Sequence, residues 1–213
     1  MVITFYGLNC FKITSGSTVI AFDPPSKKSK NKSPYFQTDA VFISHDHEDN
    51  NGRDVLHPKD DGLFVVDGPG EYEYKNIEII GIPSFHDSSH GKKYGRNTIY
   101  RVKFEDIILL HMGDFGEKEI SSEIKEKING VDILFIPIGG DEVIDDDAAA
   151  EIANQIEPQI IIPMHYPAKN KKVLNDFLDE MGAKGLKAED KLTIKKKELS
   201  ETQTKVVVLE PLI

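Results

Sequence analysis

The sequence predicts a single α/β domain over residues 1–213, with two β-sheets packed together and helices outside them. Three observations lead to this fold class. Apolar, β-branched runs bounded by turn residues recur along the whole chain. Segments with helical spacing are concentrated in its second half. No low-complexity linker, short repeat or heptad pattern divides the chain.

The first half of the chain consists mainly of predicted strands. In order, they are VITFYG, CFKIT, TVIAFD, AVFIS, LFVVDG and IEIIGIPSF. Most are rich in β-branched and aromatic residues and are followed by residues that favour turns. The charged stretch KSKNKS, between the third and fourth runs, is interpreted as a solvated loop.

In the second half, predicted strands alternate with predicted helices. The strands are NTIYRVKF, DIILLHM, VDILFIPI, PQIIIPM and TKVVVLE. The helices are EKEISSEIKEKI, DDAAAEIANQI and KKVLNDFLDEM, the last followed by Gly182 as a C-terminal stop. Many strands with few helices predict two sheets and an outer helical layer.

Composition narrows the classes of partner. With 36 acidic and 26 basic residues, the formal net charge of -10 disfavours binding to nucleic acid. The first residues lack the pattern of a secretory signal, and no apolar run is long enough to span a bilayer, so we expect a cytoplasmic protein without a membrane partner. A homo-oligomer remains open.

Cys10 is the only cysteine, so an intramolecular disulfide and a thiolate-rich zinc cluster are both excluded. In its apolar surroundings Cys10 is interpreted as a small packed residue. Any metal ion must therefore be bound by nitrogen and oxygen ligands.

Polar residues repeatedly follow predicted buried strands. VFIS leads into His45, IPSF into His86, ILLHMG into Asp114 and IIIPM into His165. Loops at strand ends are held by a rigid sheet and bring side chains from distant parts of a chain together. The pattern predicts one site assembled from four segments.

The stretch SHDHEDN, residues 44–50, carries the densest group of candidate ligands. In a tight loop, His45 and His47 can face one ion, while Asp49 offers a carboxylate oxygen to a second ion or to a water molecule. The alternative is a solvent-exposed polar turn.

Together these motifs resemble the metallo-β-lactamase superfamily. Its HxHxDH loop is matched by His45, His47 and Asp49, and its later ligands by His86, Asp114 and His165 in that order. The stretches GLNCFKI, AFDPP, GPGEYEYKNIEIIGIPSFHD and IEPQIIIPMHY look like the small zinc-dependent hydrolases related to ascorbate-6-phosphate lactonases. The resemblance covers nearly the whole chain.

The resemblance implies an αββα sandwich of two mixed sheets, with one or two Zn²⁺ ions at one edge; Mn²⁺ and Fe²⁺ are alternatives. It assigns His45, His47 and His86 to a first ion, Asp114 to a bridge, and Asp49 and His165 to a second ion. Asn50 stands where the family normally has a histidine. Because a carboxamide is a poorer zinc ligand than an imidazole, occupancy of the second position is open.

Three further residues have two interpretations each. Asp23, in FDPP, either accepts a hydrogen bond from a liganding imidazole or is an ordinary turn aspartate. His111 is favoured as a packed histidine that bonds a backbone carbonyl rather than as a ligand. His57 is either a replacement for the missing ligand, about two helical turns from Asn50 if the segment is helical, or a residue without a role in the site.

Candidate substrate contacts lie in the loop of residues 90–97. His90, Lys92, Lys93 and Arg96 could meet a phosphate or carboxylate, or could belong to a solvated hairpin loop. Asp141, in the acidic stretch before a predicted helix, is a further candidate contact, although helix capping explains most of that stretch.

The predicted activity is hydrolysis of a small, anionic ester or lactone by a metal-activated water, with Asp49 and Asp114 as catalytic residues. Ester or lactone chemistry follows from the resemblance alone. The alternatives are a phosphodiesterase acting on a small phosphodiester and a non-catalytic metal-binding protein with a degenerate second site.

Overall fold

The computed structural model describes residues 1–60, 62–167, 171–199 and 203–213. Among these residues, the first half of the chain has nine strands: β1 (Val2–Gly7), β2 (Cys10–Ser15), β3 (Thr18–Phe22), β4 (Gln37–Thr38), β5 (Ala40–Phe42), β6 (His57–Pro58), β7 (Phe64–Val66), β8 (Gly70–Tyr74) and β9 (Ile77–Phe85).

The second half contains both strands and helices. Its strands are β10 (Arg96–Phe104), β11 (Ile107–His111), β12 (Ile133–Pro137), β13 (Ile160–Met164), β14 (Leu192–Thr193) and β15 (Lys205–Val206). Its helices are α1 (Ser122–Lys127), α2 (Asp146–Ile156), α3 (Lys172–Glu180) and α4 (Lys196–Leu199). Helix α2 begins after Asp145, whose carboxylate accepts the Ala148 N–H at 3.0 Å.

The strands form two large mixed sheets. One has the order β14-β1-β2-β3-β5-β7, antiparallel as far as β3 and parallel beyond it. The other has the order β15-β13-β12-β11-β10-β9-β8, parallel as far as β11 and antiparallel beyond it. Strands β4 and β6 form a separate short pair.

The main core lies between the two large sheets. Alternate residues of β1 to β3, such as Phe11 and Phe22, meet Tyr100 and Phe135 from the opposite sheet. Phe11 and Phe135 pack with ring centroids 4.6 Å apart. Burial of such aromatic area is a large favourable term in folding. This packed interface fixes the two sheets, and with them the loops at their shared edge.

The two outer faces are covered differently. Helices α1, α2 and α3 pack on the outer face of the seven-stranded sheet through residues such as Ile124, Ile152 and Phe177. The outer face of the six-stranded sheet is covered by loop residues including Phe36 and Val55. The predicted fold class, two mixed sheets with few helices, is confirmed. None of the described helices is both long and apolar enough to cross a membrane.

Predicted and observed elements agree closely where patterns are long. Strands β1 and β9 and helix α2 have the predicted bounds, and most other predicted runs contain a slightly shorter element. The two-residue strands β4, β6 and β14 and the four-residue helix α4 lack a distinctive pattern and were not predicted. Short elements like these are fixed by tertiary contacts rather than by periodicity.

Candidate metal centre

The four predicted strand-end residues lie at one edge of the two sheets. His45 follows β5 by three residues, His86 follows β9, Asp114 follows β11 by three residues, and His165 follows β13. The carboxylate of Asp114 lies within 4 Å of a ring nitrogen of each of the three histidines. The predicted convergence of four segments is therefore observed.

The tightest group comprises His45, His86 and Asp114. Oδ2 of Asp114 lies 3.3 Å from Nε2 of both His45 and His86. One ligand atom from each of the three residues falls within 4.8 Å of the others. Neither imidazole Nε2 has a hydrogen-bond partner, although both are buried. Two orphaned imidazole nitrogens facing a carboxylate fit a divalent ion such as Zn²⁺.

Three asparagines hold Asp114 in place. Its Oδ1 accepts hydrogen bonds from the side-chain amides of Asn9 and Asn50, the latter at 3.3 Å, and its backbone N–H donates to Oδ1 of Asn97 at 3.0 Å. All three asparagines are buried. Burial opposes ionisation of Asp114, but His165, His45, His86 and the Asn9 amide outweigh it and lower the pKa of the carboxyl. The carboxylate is therefore charged at neutral pH.

Both buried histidines are neutral at the same pH. Burial lowers the pKa of His86 to about 4 and lowers that of His45, with the Asp114 charge opposing both shifts. Nδ1 of His45 lies 3.1 Å from Oγ of Ser44, which orients the ring. Because an imidazole must be deprotonated to bind a metal ion, both side chains are in the state that a ligand requires.

His47 and Asp49 lie at the solvent-exposed rim of this group. The side chain of His47 is 55% exposed, and its Nδ1 lies 3.8 Å from Oδ2 of Asp49. Oδ1 of Asp49 accepts hydrogen bonds from Ser29 and, at 3.1 Å, from Asn31. The structure thus places both residues beside the buried group, but His47 is not gathered into it.

His165 has an unusual backbone conformation that the surrounding chain stabilises. Its φ of 53° is in the left-handed region, and its N–H donates to the Leu8 carbonyl at 2.9 Å. A Cβ on Gly139 would lie 2.2 Å from the His165 carbonyl oxygen, so only glycine fits there. Nε2 of His165 remains 3.8 Å from Oδ1 of Asp114, farther than the other two imidazoles.

The position of Asn50 explains how the chain accommodates the missing histidine. The residue is only 3% exposed and points inward, where its amide group donates to Asp114. Asn50 therefore helps to hold the Asp114 carboxylate instead of facing solvent.

Of the two predicted interpretations of Asp23, a hydrogen bond from a liganding imidazole is not the one observed. Its Oδ1 accepts the Ser44 backbone N–H at 2.7 Å, and its Oδ2 lies 3.8 Å from Nδ1 of His111. Within the described part of the chain, no predicted ligand imidazole bonds it, so that detail of the prediction is corrected. Burial raises the pKa of Asp23 to about 8. Asp23 acts on His45 only through Ser44, because it fixes the start of the histidine loop.

His111 and His57 both lie outside the predicted ligand group. His111 is fully buried, and its Nε2 lies 3.0 Å from the backbone carbonyl oxygen of Asn9. Its ring stacks on that of Phe22, with the ring centroids 4.6 Å apart. The prediction of a packed histidine is confirmed. His57 belongs to the extended strand β6 and is exposed, so the helical route by which it would replace a ligand at Asn50 is wrong.

The basic loop that follows His86 folds around a carboxylate of its own. Asp87 accepts backbone N–H groups from four residues of the loop, and they lower its pKa. The candidates His90, Lys92, Lys93 and Arg96 are exposed, and none of them lines the cavity at the metal centre. Lys93 instead lies over the Tyr94 ring at 4.3 Å.

A cavity of about 230 Å³ opens onto the group. Its lining includes the predicted ligands and three residues without a predicted role: Asp46, Tyr94 and Glu142. Tyr94 packs against the His86 ring at 5.1 Å. The predicted contact Asp141 lines neighbouring cavities, whereas its neighbour Glu142 reaches this one. Asn9 was also missed, since a lone asparagine in GLNCFKI carries no spacing signal.

The sequence is similar to those of a known protein family. The sequence model of the beta-lactamase superfamily domain matches residues 2–165. A UPF0173 metal-dependent hydrolase from Staphylothermus marinus is 30% identical over 192 residues, covering 81% of this chain and 75% of the relative. A UPF0173 metal-dependent hydrolase from Thermococcus onnurineus is 26% identical over 212 residues, which cover 82% of this chain and 92% of the relative.

A solved structure is similar over almost the whole length. It is a candidate Zn-dependent hydrolase of the metallo-β-lactamase superfamily from Thermotoga maritima, with a TM-score of 0.76 and 27% identity. The alignment covers 98% of this chain and 97% of that one.

Proposed function

Because the chain belongs to the metallo-β-lactamase superfamily and, within it, to the UPF0173 metal-dependent hydrolase family, we propose that it hydrolyses a small, anionic ester or lactone with the help of a metal ion. His45, His86 and Asp114 would hold that ion, with His47, Asp49 and His165 completing the surroundings. Zn²⁺ is the favoured ion, since the similar Thermotoga maritima protein is described as Zn-dependent.

One observation carries the proposal. The Nε2 atoms of His45 and His86 are buried without a hydrogen-bond partner, and both face the same carboxylate oxygen of Asp114. Leaving two such nitrogens unpaired costs free energy in the absence of a ligand. A divalent cation satisfies both nitrogens and the carboxylate together.

The residues around the cavity divide the remaining tasks. When bound, the ion supplies a strong nucleophile from water at neutral pH and polarises the bond to be broken. Asp114, whose lowered pKa keeps it charged, would hold that ion together with the His45 and His86 nitrogens. Asp49 lines the same cavity, and its Oδ2 is the carboxylate atom not engaged by Ser29 and Asn31, so it can accept a proton from the attacking water.

Asn50 favours a mechanism that depends on one ion. A carboxamide nitrogen is not a metal ligand, and that of Asn50 donates to Asp114, so this residue does not supply the nitrogen that a histidine would give to a second ion. With one ion, Asp49 remains free to orient water and accept its proton. The resemblance to ascorbate-6-phosphate-lactonase relatives supports an ester or lactone as substrate.

The test combines metal analysis with a panel of probes. The purified protein is reconstituted with Zn²⁺, Mn²⁺ or Fe²⁺, and bound metal is counted by mass spectrometry. Hydrolysis of p-nitrophenyl acetate, δ-valerolactone and bis-p-nitrophenyl phosphate is then measured for wild type, His86→Ala and the control His57→Ala. We expect bound metal and ester or lactone hydrolysis that His86→Ala abolishes and His57→Ala preserves.

The same experiment separates the alternatives. Activity on bis-p-nitrophenyl phosphate alone would assign the protein as a phosphodiesterase. Tightly bound metal with no turnover of any probe would favour a metal-binding protein, a function consistent with the exposed His47. A protein that binds none of the three ions would refute the metal centre.

A further inference from the structure

A large cleft lies beside the metal centre, on the side of β1. Its volume is about 540 Å³, whereas the cavity at the metal centre measures about 230 Å³. Small-molecule sites typically occupy about 300–1,000 Å³. The cavity at the metal centre is smaller than this range, so a drug-sized substrate bound there would extend beyond it. The cleft is large enough to hold the remainder.

The cleft is joined to the metal centre. An intervening cavity of about 280 Å³ shares His165 and Glu142 with the metal centre and shares Leu8 and Tyr166 with the cleft. A second link runs through Asn31, which lines the cleft and donates a hydrogen bond to Asp49 at 3.1 Å. The three cavities thus lie next to one another, with His165 between the metal centre and the intervening cavity.

The lining of the cleft is apolar at its walls and basic at its rim. The walls include Tyr6, Leu8 and Tyr166, and the rim carries Lys30 and Lys32. No acidic side chain belongs to the described lining. Within residues 1–60, 62–167, 171–199 and 203–213, neither of these lysines has a salt-bridge partner. In a chain of net charge -10, two unpaired lysines beside an apolar cleft favour an anionic ligand.

The lysines are carried by a loop that is attached to the rest of the site. Ser26 donates its N–H to the Glu48 carbonyl at 2.8 Å, and Oγ of Ser33 donates to the Ser26 carbonyl at 2.8 Å. Ser29 and Asn31 both bond Asp49. The loop therefore holds Lys30 and Lys32 at a fixed position relative to the histidine loop.

We propose that this cleft binds the apolar body of an anionic amphiphilic ester, and that Lys30 and Lys32 receive the charged end while the ester group lies at the metal centre. The inference rests on the proposed function and narrows its substrate class. It assigns the anion contact to the loop of residues 26–33, in place of the loop after His86. A substrate of this class has an apolar chain or ring between its scissile bond and its anionic group.

The test uses a probe that cannot be hydrolysed. A sulfonate is a weak metal ligand, so 1-octanesulfonate reports on the cleft and the lysines with little contribution from the ion. Binding to the metal-reconstituted protein is measured by isothermal titration calorimetry, together with methanesulfonate and neutral 1-octanol. We expect 1-octanesulfonate to bind more tightly than either, with up to about fourfold in affinity for each buried methylene.

Charge reversal locates the anionic end. The double variant Lys30→Glu with Lys32→Glu should weaken binding of 1-octanesulfonate by about tenfold or more and leave 1-octanol unchanged. The matched control reverses Lys27 and Lys28, two exposed lysines of the same loop that do not line the cleft. It changes the net charge equally and should bind both probes like wild type.

The outcomes separate this inference from the proposed function. Sulfonate binding that requires both the octyl chain and Lys30 with Lys32 supports the cleft, even in a protein that hydrolyses no ester. Equal weakening by the two double variants would reduce the effect to overall charge and overturn the inference. Equal binding of methanesulfonate and 1-octanesulfonate would show that the cleft does not bind an apolar chain and would overturn the inference. The proposed ester hydrolysis would not be affected by that result.

Discussion

The buried part of the metal centre and its exposed rim are held by the fold to very different degrees. His45, His86 and Asp114 are enclosed by the sheets, and asparagine side chains fix Asp114. His47, by contrast, is more than half exposed, and its described polar contacts come from the same short turn. The fold therefore pre-organises one candidate ion position, formed by His45, His86 and Asp114, whereas the His47 side chain beside it is largely accessible to solvent.

The largest effect is expected for Asp114→Ala. The change removes the charge that faces both buried imidazoles and leaves the Asn9 and Asn50 amides without their acceptor. Loss of metal affinity should exceed the roughly 10–100-fold cost of removing a residue that only supports a ligand. Competition with a chromophoric chelator measures the affinity, with Asp67→Ala, at an exposed salt bridge, as the control. Unchanged affinity would show that Asp114 does not help to hold the ion.

The variants His86→Ala and His47→Ala test the difference between the buried group and the exposed rim. Both remove one imidazole, but only His86 is buried with an unpaired Nε2 directed at Asp114. Metal affinity should fall about tenfold further in His86→Ala than in His47→Ala, a difference of about 1.4 kcal/mol. The exposed His57→Ala serves as control. Equal losses from the two variants would mean that the rim is held as firmly as the buried group.

A smaller effect is expected where the backbone alone positions a side chain. In Gly139→Ala the new methyl group would meet the His165 carbonyl at 2.2 Å, so His165 must move. The expected cost is about 1–3 kcal/mol of stability, together with lower hydrolytic activity. Thermal unfolding and turnover are compared with Gly68→Ala, where no heavy atom lies within 4 Å of the added Cβ. A variant that matches this control in both measurements would contradict the close packing.

The variant Asn50→His tests whether an added imidazole creates a site for a second ion at the exposed rim. An imidazole in place of the carboxamide supplies the nitrogen ligand that the family normally has, so affinity for a second ion should rise by about tenfold. Native mass spectrometry counts ions per chain as the metal concentration increases. A wild-type protein that already holds two ions at ordinary metal concentration would contradict our account of Asn50.

The smallest effect is expected in the loop after His86. Lys92→Ala and Lys93→Ala remove exposed charges that do not line the cavity at the metal centre, so KM should change by less than about twofold. Ester hydrolysis measured at low salt gives the comparison, with the Lys30 and Lys32 variants as the contrasting pair. A rise of tenfold or more in KM would restore the original prediction for this loop.

The parts of the fold that could be predicted are those with a repeating pattern. Strands β1 and β9 alternate over several residues, and α2 has helical spacing, so local sequence determines their bounds. His45, His86, Asp114 and His165 could be placed together because each follows such a strand. Their convergence required only that the strand ends meet at one edge of the sheets.

The unpredicted parts depend on contacts between distant residues. Asn9 bonds Asp114 across 105 positions of the chain, and no local pattern marks it. The predicted solvated loop KSKNKS is confirmed, since its lysines are exposed, but local sequence does not reveal that Lys30 and Lys32 line a cleft together with Tyr166. In the same way, the stretch of Asp141 and Glu142 was recognised, but which of the two side chains reaches the cavity depends on a turn that sequence does not specify.

Asp87, next to His86, has a consequence for how the protein exchanges metal. Its carboxylate gathers the N–H groups of Ser89, Gly91, Lys93 and Tyr94, so this loop carries its own anion and needs no ion to stay folded. His86 should consequently keep its orientation when a chelator strips the protein. Loss of the ion should then leave this loop folded around Asp87, so that the emptied protein keeps the side-chain geometry that rebinding requires.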